Sequence, residues 1–386
     1  VKEAAVRVAY IIGTLRTQGD GAARVLLTLA AECQRRGVEA VIITGHVEDR
    51  SQSAVPVVLV PSVAWPLDRA YRVPWVSDAV VDAVLDTFRP DVIHVHSPDP
   101  MSWAALRYAQ ARGVRVMATH HTDFAGYLSY YHLALLEPLV WSLLTRLYRG
   151  MDVVTAPSPA AAHELQSQGL RNVQTLPWGV DLTLFNPGLR SDERRRQLLG
   201  GQSGAIVLCV CRLVWEKDLH TLAQVYQRLR ERRDDFMLVV AGEGPAHAEL
   251  AALMPGAVFL GNLEQQELAH VYASADVLLF PSCTETFGSV TLEALASGLV
   301  PVVANAEGSR ALVQQGETGF LAVPQDVADF CVRVQQLLDD APLRARLGTA
   351  GLRFAAEFAW ERVADRLLNL YAPAGTSARR AFSTLS

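Results

Sequence analysis

Two glutamates stand eight positions apart in the run PSCTETFGSVTLEALASGL (281–299), Glu285 before a glycine and Glu293 after it. The pattern predicts a strand ending at Phe280, a loop carrying Glu285, and a helix starting near Ser289, which suits an N-cap. Exposed amides of Gly288, Ser289 and Val290 would then form a helix N-terminus able to hold phosphate. Carboxylates accept hydrogen bonds from sugar hydroxyls. The segment therefore suits a phosphate flanked by two hydroxyl-bearing groups, which is the chemistry of a nucleotide sugar. Taken alone, it reads equally well as a surface glutamate followed by a helix-start glutamate favoured by the dipole.

A second cluster, RLVWEK, places Arg212 and Lys217 directly after an apolar strand run. Cations at the carboxyl end of a strand stand where ligands bind in open α/β sheets. Arg grips phosphate bidentately and Lys adds a point charge, so the pair can neutralise a leaving diphosphate. The plainer alternative is a solvated loop in which Glu216 pairs with Lys217. In ATHHTDFAGY (118–127), His121 is the candidate to face a cleft, against the alternative that His120 or His121 is a satisfied structural histidine. The loop GTLRTQGDGAAR (13–24) fails as a dinucleotide fingerprint. Arg24 stands where a small residue is needed, and no acid closes the second strand. Gly21 still permits a ligand to approach the backbone at the start of the first helix. The pair His94-Val-His96 lacks an HxHxDH continuation, so a structural or cleft-lining role ranks above metal ligation. The chain contains no Asp-x-Asp. Diphosphate chemistry here should rest on Arg, Lys and a helix dipole rather than on carboxylate-held Mg²⁺, so neither metal nor cofactor is expected.

These groups need a scaffold, and the chain alternates short apolar runs with helical stretches from end to end. Strands are predicted at 6–12, 40–44, 91–96, 114–119, 152–156 and 173–176, with helices at 22–36, 77–88, 101–112 and 159–168. The rhythm halts over WGVDLTLFNPG (178–188) and the charged stretch 190–196. It resumes with strands at 205–211, 236–241, 258–260, 277–280 and 300–304, and helices at 219–233, 268–274, 289–297 and 327–339. This is βαβ grammar twice over, α/β with two Rossmann-like, doubly wound parallel-sheet domains facing a cleft. The expected divisions are 1–188, 189–357, a terminal helix 358–372 and a tail 373–386.

The 386 residues suit two domains, and 50% hydrophobic content excludes a mostly disordered chain. Net charge is −5, from 35 Lys+Arg against 40 Asp+Glu, which argues against a nucleic-acid partner. The five cysteines form no CxxC pair and read as reduced thiols of a cytosolic protein. The opening VKEAAVRVAYII lacks the basic start and cleavage site of a signal peptide, and no run is long enough to span a bilayer. The expectation is a soluble, cytoplasmic protein, with peripheral contact at the inner face of the cytoplasmic membrane as an open alternative. That alternative rests on YLSYYHLALLEPLVWSLLTRLYR (127–149), which reads either as a membrane- or lipid-acceptor-docking surface or, ahead of it, as a buried helix pair whose second member starts at Pro138.

At this point the order and spacing of the motifs carry a resemblance over nearly the whole chain. The sequence resembles retaining glycosyltransferases of family 4, of GT-B fold. The likeness rests on ETFGSVTLEALASGLVPVVA with its EX7E pair, CRLVWEKDLHTL, AGEGP (241–245), VFLGNL (258–263) and WGVDLTLFNP (178–187). GAARVL, HVHSPDP and HHTDFAGYLSYY are similar to the branch with GDP-mannose-dependent α-mannosyltransferases and sulfoquinovosyl or glucosyl transferases. The resemblance implies that Arg212 and Lys217 bind the donor diphosphate, Glu293 the ribose and Glu285 the donor sugar. Phe287, Gly288, Ser289 and Val290 would offer backbone amides, and Asn262 and Leu263 would lie by the base. His121 would lie near the anomeric carbon, and Gly21 on the phosphate or acceptor side. The terminal helix would pack back on the first domain. Two positions depart from the family pattern: Cys211 and Asp218 stand where glycines are usual.

The implied reaction moves a hexose from a nucleotide diphosphate sugar, GDP-mannose or a UDP-sugar, to an acceptor hydroxyl on a lipid or glycan. Configuration is retained and the leaving phosphate helps take the acceptor proton. A sugar-nucleotide epimerase of the same fold, a glycoside hydrolase using Glu285 and Glu293, and a non-catalytic partner subunit are the rivals. The hydrolase leaves Arg212 and Lys217 without a role. Donor base, acceptor identity, linkage and oligomeric state are not legible in the sequence.

Overall fold

The computed structural model describes residues 5–16, 21–65, 71–121 and 134–372. The 373–386 tail, part of the 13–24 loop and residues 122–133 of the two tyrosine-rich motifs therefore lie outside the described residues. The chain forms two compact units, residues 1–178 with 360–386, and residues 179–359.

The first unit is built on seven parallel strands: β1 (Arg7–Leu15), β2 (Glu39–Val47), β3 (Val57–Leu59), β6 (Val92–Val95), β7 (Arg115–Thr119), β8 (Val153–Ala156) and β9 (Val173–Thr175). Their order is β3-β2-β1-β6-β7-β8-β9, so the winding reverses between β1 and β6. A small antiparallel hairpin, β4 (Ser62–Ala64) and β5 (Arg72–Pro74), interrupts the parallel succession. Both faces of the sheet are covered, which explains the unbroken apolar runs of its strands. Along β1, Ala9 and Ile11 join one core layer while Val8, Tyr10 and Ile12 join the other. The second layer also takes Val363, Leu367, Leu368 and Tyr371 from the last helix, Trp360–Tyr371. That helix packs against the helix Gly21–Arg35, where Arg36 bonds Asp365 at 2.9 Å and the carbonyl of Glu361 at 2.9 Å.

The second unit has six parallel strands: β10 (Ala205–Val210), β11 (Phe236–Ala241), β12 (Val258–Phe259), β13 (Val277–Phe280), β14 (Val300–Ala304) and β15 (Phe320–Ala322), in the order β12-β11-β10-β13-β14-β15. Its winding reverses between β10 and β13, the place where ligands enter such sheets. The unit begins at Gly179 rather than at 189 because Val180 donates to the Phe358 carbonyl (2.8 Å) and bridges to Ala359. The charged stretch 190–196, where the strand–helix rhythm halts, enters a helix, Asp192–Leu198, capped by the Ser191 side chain. Its arginines have work to do: Arg195 and the amide of Ile206 both bond the same Asp276 oxygen (2.9 and 2.8 Å), and Arg190 bonds the other (3.0 Å). All five cysteines are free thiols.

The segment 127–149 resolves in part. A helix runs over Glu137–Arg149 and buries Trp141, Leu144, Leu147 and Tyr148, while Leu135, Leu136, Leu139 and Leu143 stay exposed. Among the described residues, no helix is long and apolar enough to cross a membrane.

Candidate active site

The loop after β10 and the loop after β13 meet at the reversal point of the second sheet. The Lys217 ammonium lies 2.7 Å from a Glu285 carboxylate oxygen and 3.2 Å from the Thr284 hydroxyl, and both charged side chains are less than one-fifth exposed. Ser282 donates to the same Glu285 oxygen at 3.1 Å. Lys217 is therefore not the partner of Glu216. Arg212 takes that carboxylate, at 2.8 Å, and its own side chain is 63% exposed. Of the two cations, one is lodged against a candidate sugar ligand and the other reaches into solvent.

The helix after this loop runs over Ser289–Ala296. Its N-cap is Gly288, not Ser289: the cap residue sits at φ 93°, a left-handed geometry that suits glycine, and Ser289 is the first helical residue. Phe287 is buried, so only its backbone is available to a ligand. Glu293, one turn on, accepts a hydrogen bond from the Tyr272 hydroxyl at 3.0 Å. Ser282, Thr284 and Tyr272 were not singled out in the sequence. The first two flank Glu285 closely enough to have been seen, whereas Tyr272 comes from a separate helix, Gln265–Ser274, and carries no local signal.

The glycine motifs explain how the cation loop is held. A β-carbon on Gly242 would overlap the carbonyl oxygen of Cys211, and one on Gly244 would overlap that of Leu213. Their absence lets AGEGP lie flat on RLVWEK, with Leu213 donating to the Glu243 carbonyl (2.8 Å) and Ala246 to that of Leu213 (3.0 Å). Gly261 accepts from the Gly242 amide at 2.8 Å and continues the layer into the turn carrying Asn262, which is exposed, and Leu263, which is half-buried. Gly308 does the same for Glu285, whose carbonyl oxygen occupies the space a β-carbon would take.

Asp218, where glycine is usual, keeps the glycine-like backbone at φ 54° and ψ 45°, and one of its carboxylate oxygens is buried with no partner. Left-handed geometry costs an L-residue roughly 1–2 kcal/mol, less for Asp. Asp218→Gly should therefore raise stability by about 1 kcal/mol despite the freer unfolded chain, a rise of a few °C in melting temperature. An unchanged or lower midpoint would show that the carboxylate repays its strain.

In the first unit, Gly21 opens the helix Gly21–Arg35, and a β-carbon there would meet nothing, so no packing demands the glycine. His94, His96, His120 and His121 are all buried. His94 is bonded at both ring nitrogens, to the Tyr371 hydroxyl (2.9 Å) and to Thr119 (2.7 Å). His96 Nδ1 and His121 Nε2 lie 2.7 Å apart, and His120 Nδ1 lies 3.3 Å from the Tyr148 hydroxyl. In HVHSPDP the remaining polar groups are structural. Ser97 accepts from the Gly13 amide (2.8 Å) and donates to Asp99 (2.7 Å), which caps the helix Pro100–Arg112.

Burial, reinforced by neighbouring imidazoles, pushes the His94 and His121 pKa values down to about 3 and moves His96 the same way. Unfolding returns each ring to about 6.5, so below that pH the unfolded chain binds protons the fold refuses. Stability should be full above about pH 6.5 and fall toward about pH 3, by at most about 1.4 kcal/mol per pH unit for each ring. Thermal melts at about pH 7 and about pH 5 should separate accordingly, and equal midpoints would mean that the rings are charged in the fold.

Comparison with known proteins agrees with this geometry. Residues 19–184 match the family model described as Glycosyltransferase Family 4, and residues 190–354 that described as Glycosyl transferases group 1. The chain is 33% identical over 345 residues to the sulfoquinovosyl transferase SQD2 of Arabidopsis thaliana, covering 86% of this chain and 66% of that protein. It is 31% identical over 373 residues to a GDP-mannose-dependent alpha-mannosyltransferase of Mycolicibacterium smegmatis, covering 95% of this chain and 97% of that one. HepE of Anabaena, solved with UDP and glucose, shares the fold at a TM-score of 0.74 and 18% identity, covering 95% of this chain and 99% of that one. The hydrolase and epimerase alternatives receive no support from these likenesses. With both halves matched and the similarity running through the loops that join Lys217 to Glu285, this chain belongs to glycosyltransferase family 4, and is a GT-B glycosyltransferase that uses nucleotide sugars.

Proposed function

We propose that the protein transfers a hexose, with retention of configuration and without a metal, from GDP-mannose or a UDP-sugar to a hydroxyl of a lipid or glycan acceptor. The observation that carries this reading is the junction of Lys217, Glu285 and the Gly288–Val290 amides at the reversal point of the second sheet. It sets a cation and a helix N-terminus beside a carboxylate, the set a sugar diphosphate requires. Arg212 and Lys217 take the diphosphate and stabilise its charge as the C–O bond breaks. Glu285 orients the sugar and Glu293 holds the ribose, while the turn with Asn262 and Leu263 lies by the base. The backbone of Phe287 and Ser289 adds donors. To His121 the same reading gives contact with the transferred sugar, and to Gly21 the phosphate or acceptor side. GDP-mannose is favoured by the mannosyltransferase relatives, which match over nearly their whole length.

The deciding experiment is a thermal-shift screen with GDP, UDP and ADP, then with the sugars of the one that binds, since a ligand stabilises the state that binds it. Transfer to acceptor should survive EDTA and give a product with the donor's anomeric configuration by NMR. Loss of activity with the chelator, or an inverted product, would overturn those two parts. The exposed leucines on the helix Glu137–Arg149, followed by Arg146 and Arg149, support docking at the inner face of the cytoplasmic membrane. Flotation that leaves the protein in solution would remove that part alone.

A further inference from the structure

Glu293 holds the ribose in the reading above, and a second residue of the same unit governs how its carboxylate stands. The last torsion of a glutamate side chain is broad, so stopping that rotation costs part of what the carboxylate gains from a ligand. Here it is stopped beforehand. Oε2 of the half-buried Glu293 accepts from the Tyr272 hydroxyl at 3.0 Å, and Tyr272 itself is fully buried. The Phe185 ring packs edge to face on it, with centroids 5.7 Å apart at 81°. The helix that carries Tyr272, Gln265–Ser274, is fastened at its far end. The Arg190 guanidinium donates to the carbonyls of Ala273 (3.3 Å) and Ala275 (3.1 Å), and the Ser191 amide to the Ser274 hydroxyl (3.3 Å). At its near end the helix follows directly on Asn262 and Leu263, with Glu264 as N-cap. One rod thus has the base-side turn at its head and, about two turns on, the phenol that aims Glu293.

We propose that Tyr272 is a positioning residue that presets the Glu293 carboxylate for the ribose diol, and so sets a preference for ribonucleotide donors over nucleotides that lack the ribose hydroxyls. This rests on the reading that Glu293 holds the ribose. The plainer account, that Glu293 only satisfies a buried phenol, explains less. A backbone carbonyl suffices for that, as Tyr226 shows by donating to the carbonyl of Pro255 at 2.5 Å. A carboxylate is costlier to enclose than a carbonyl, and its two oxygens offer about four acceptor sites, more than one phenol uses. Hydroxyl pairs are the groups that use them, and a carboxylate already turned to meet such a pair binds it with less lost freedom.

The test is calorimetric titration of GDP, UDP and ADP, each beside its 2′,3′-dideoxy analogue, into the wild type, Tyr272→Phe, Glu293→Ala and the double variant. For the base that binds, the wild type should hold the ribose form about 10- to 100-fold more tightly than the dideoxy form, the value of a hydrogen bond to a charged group. Tyr272→Phe keeps the ring and its packing on Phe185. It should weaken the ribose form by about 3- to 10-fold and move the dideoxy form by less than about twofold, as expected when a side chain must be immobilised on binding. Glu293→Ala should erase the preference, and adding Tyr272→Phe to it should change neither Kd further, because the two residues act as one unit. Equal weakening of both forms in Tyr272→Phe would make its hydroxyl a structural one and overturn the proposal. An unchanged preference in Glu293→Ala would remove the ribose reading, and the proposal with it. A preference erased in Glu293→Ala and intact in Tyr272→Phe would remove the role of Tyr272 alone.

Discussion

Replacing Lys217 by alanine should lower kcat/KM for the nucleotide-sugar donor by about 10- to 100-fold, the value of a hydrogen bond to a charged group at roughly 1.5–3 kcal/mol. The ammonium is the point charge nearest Glu285, and the leaving diphosphate gains negative charge as the sugar departs. Arg212→Ala should cost activity on the same scale, but the two variants should differ in stability. Lys217 is mostly enclosed and bonds Glu285 and Thr284, so its removal takes the opposite charge from Glu285, which keeps the Ser282 hydroxyl, and lowers the melting temperature. Arg212 is largely in water, where its pairing with Glu216 is worth little, so Arg212→Ala should melt as the wild type does. Steady-state kinetics with varied donor, beside melts of both variants, give the answer. Wild-type kcat/KM in both would remove the cation assignment.

Gly308→Ala should reduce kcat by about 100-fold in a folded protein, although residue 308 carries no chemical group. The new methyl would overlap the Glu285 carbonyl oxygen and sit 2.8 Å from its carbonyl carbon. Either the short helix Glu307–Arg310 or the loop holding Glu285 must then move by ~1 Å, and such displacements of a reacting arrangement cost on that order. Overpacking also costs roughly 1–3 kcal/mol of stability, so circular dichroism and a melt must accompany the kinetics. A folded Gly308→Ala enzyme with wild-type kcat would show that Glu285 is placed by its side-chain bonds to Lys217 and Ser282 alone.

The scaffold was legible wherever apolar runs were long. The strands Arg7–Leu15, Phe236–Ala241 and Val300–Ala304 announce themselves because both faces are buried. The short edge strands Val57–Leu59 and Phe320–Ala322 do not, since three residues give no periodicity, and the equally short Val173–Thr175 and Val258–Phe259 were legible only by their place in the strand–helix alternation. The helix Ala341–Ala355 escaped prediction because Gly348 and Gly351 argue against a helix. Those glycines answer to tertiary contact instead: a β-carbon at Gly348 would crowd the Gly298 carbonyl (2.6 Å), and one at Gly351 the Leu295 side chain (2.8 Å). At the site, the candidate residues were legible by type, but their partners were not. That Lys217 goes to Glu285 and Glu216 to Arg212 depends on which loop lies over which, and two loops more than sixty residues apart carry no trace of it in spacing.

The last helix has a consequence for how the chain is made. Its Leu367 and Tyr371 belong to the core of the first unit, and Tyr371 closes the bond to His94, yet they follow the whole of the second unit in sequence. A ribosome therefore releases residues 179–359 while one core layer of the first sheet still lacks Val363, Leu367, Leu368 and Tyr371. The second unit, whose ends meet where Val180 bonds Phe358, can close on itself at once. The first must wait for the dozen residues Trp360–Tyr371, so a chain broken off before Trp360 presents Tyr10 and Val8 to water and offers the quality-control machinery an unfinished half.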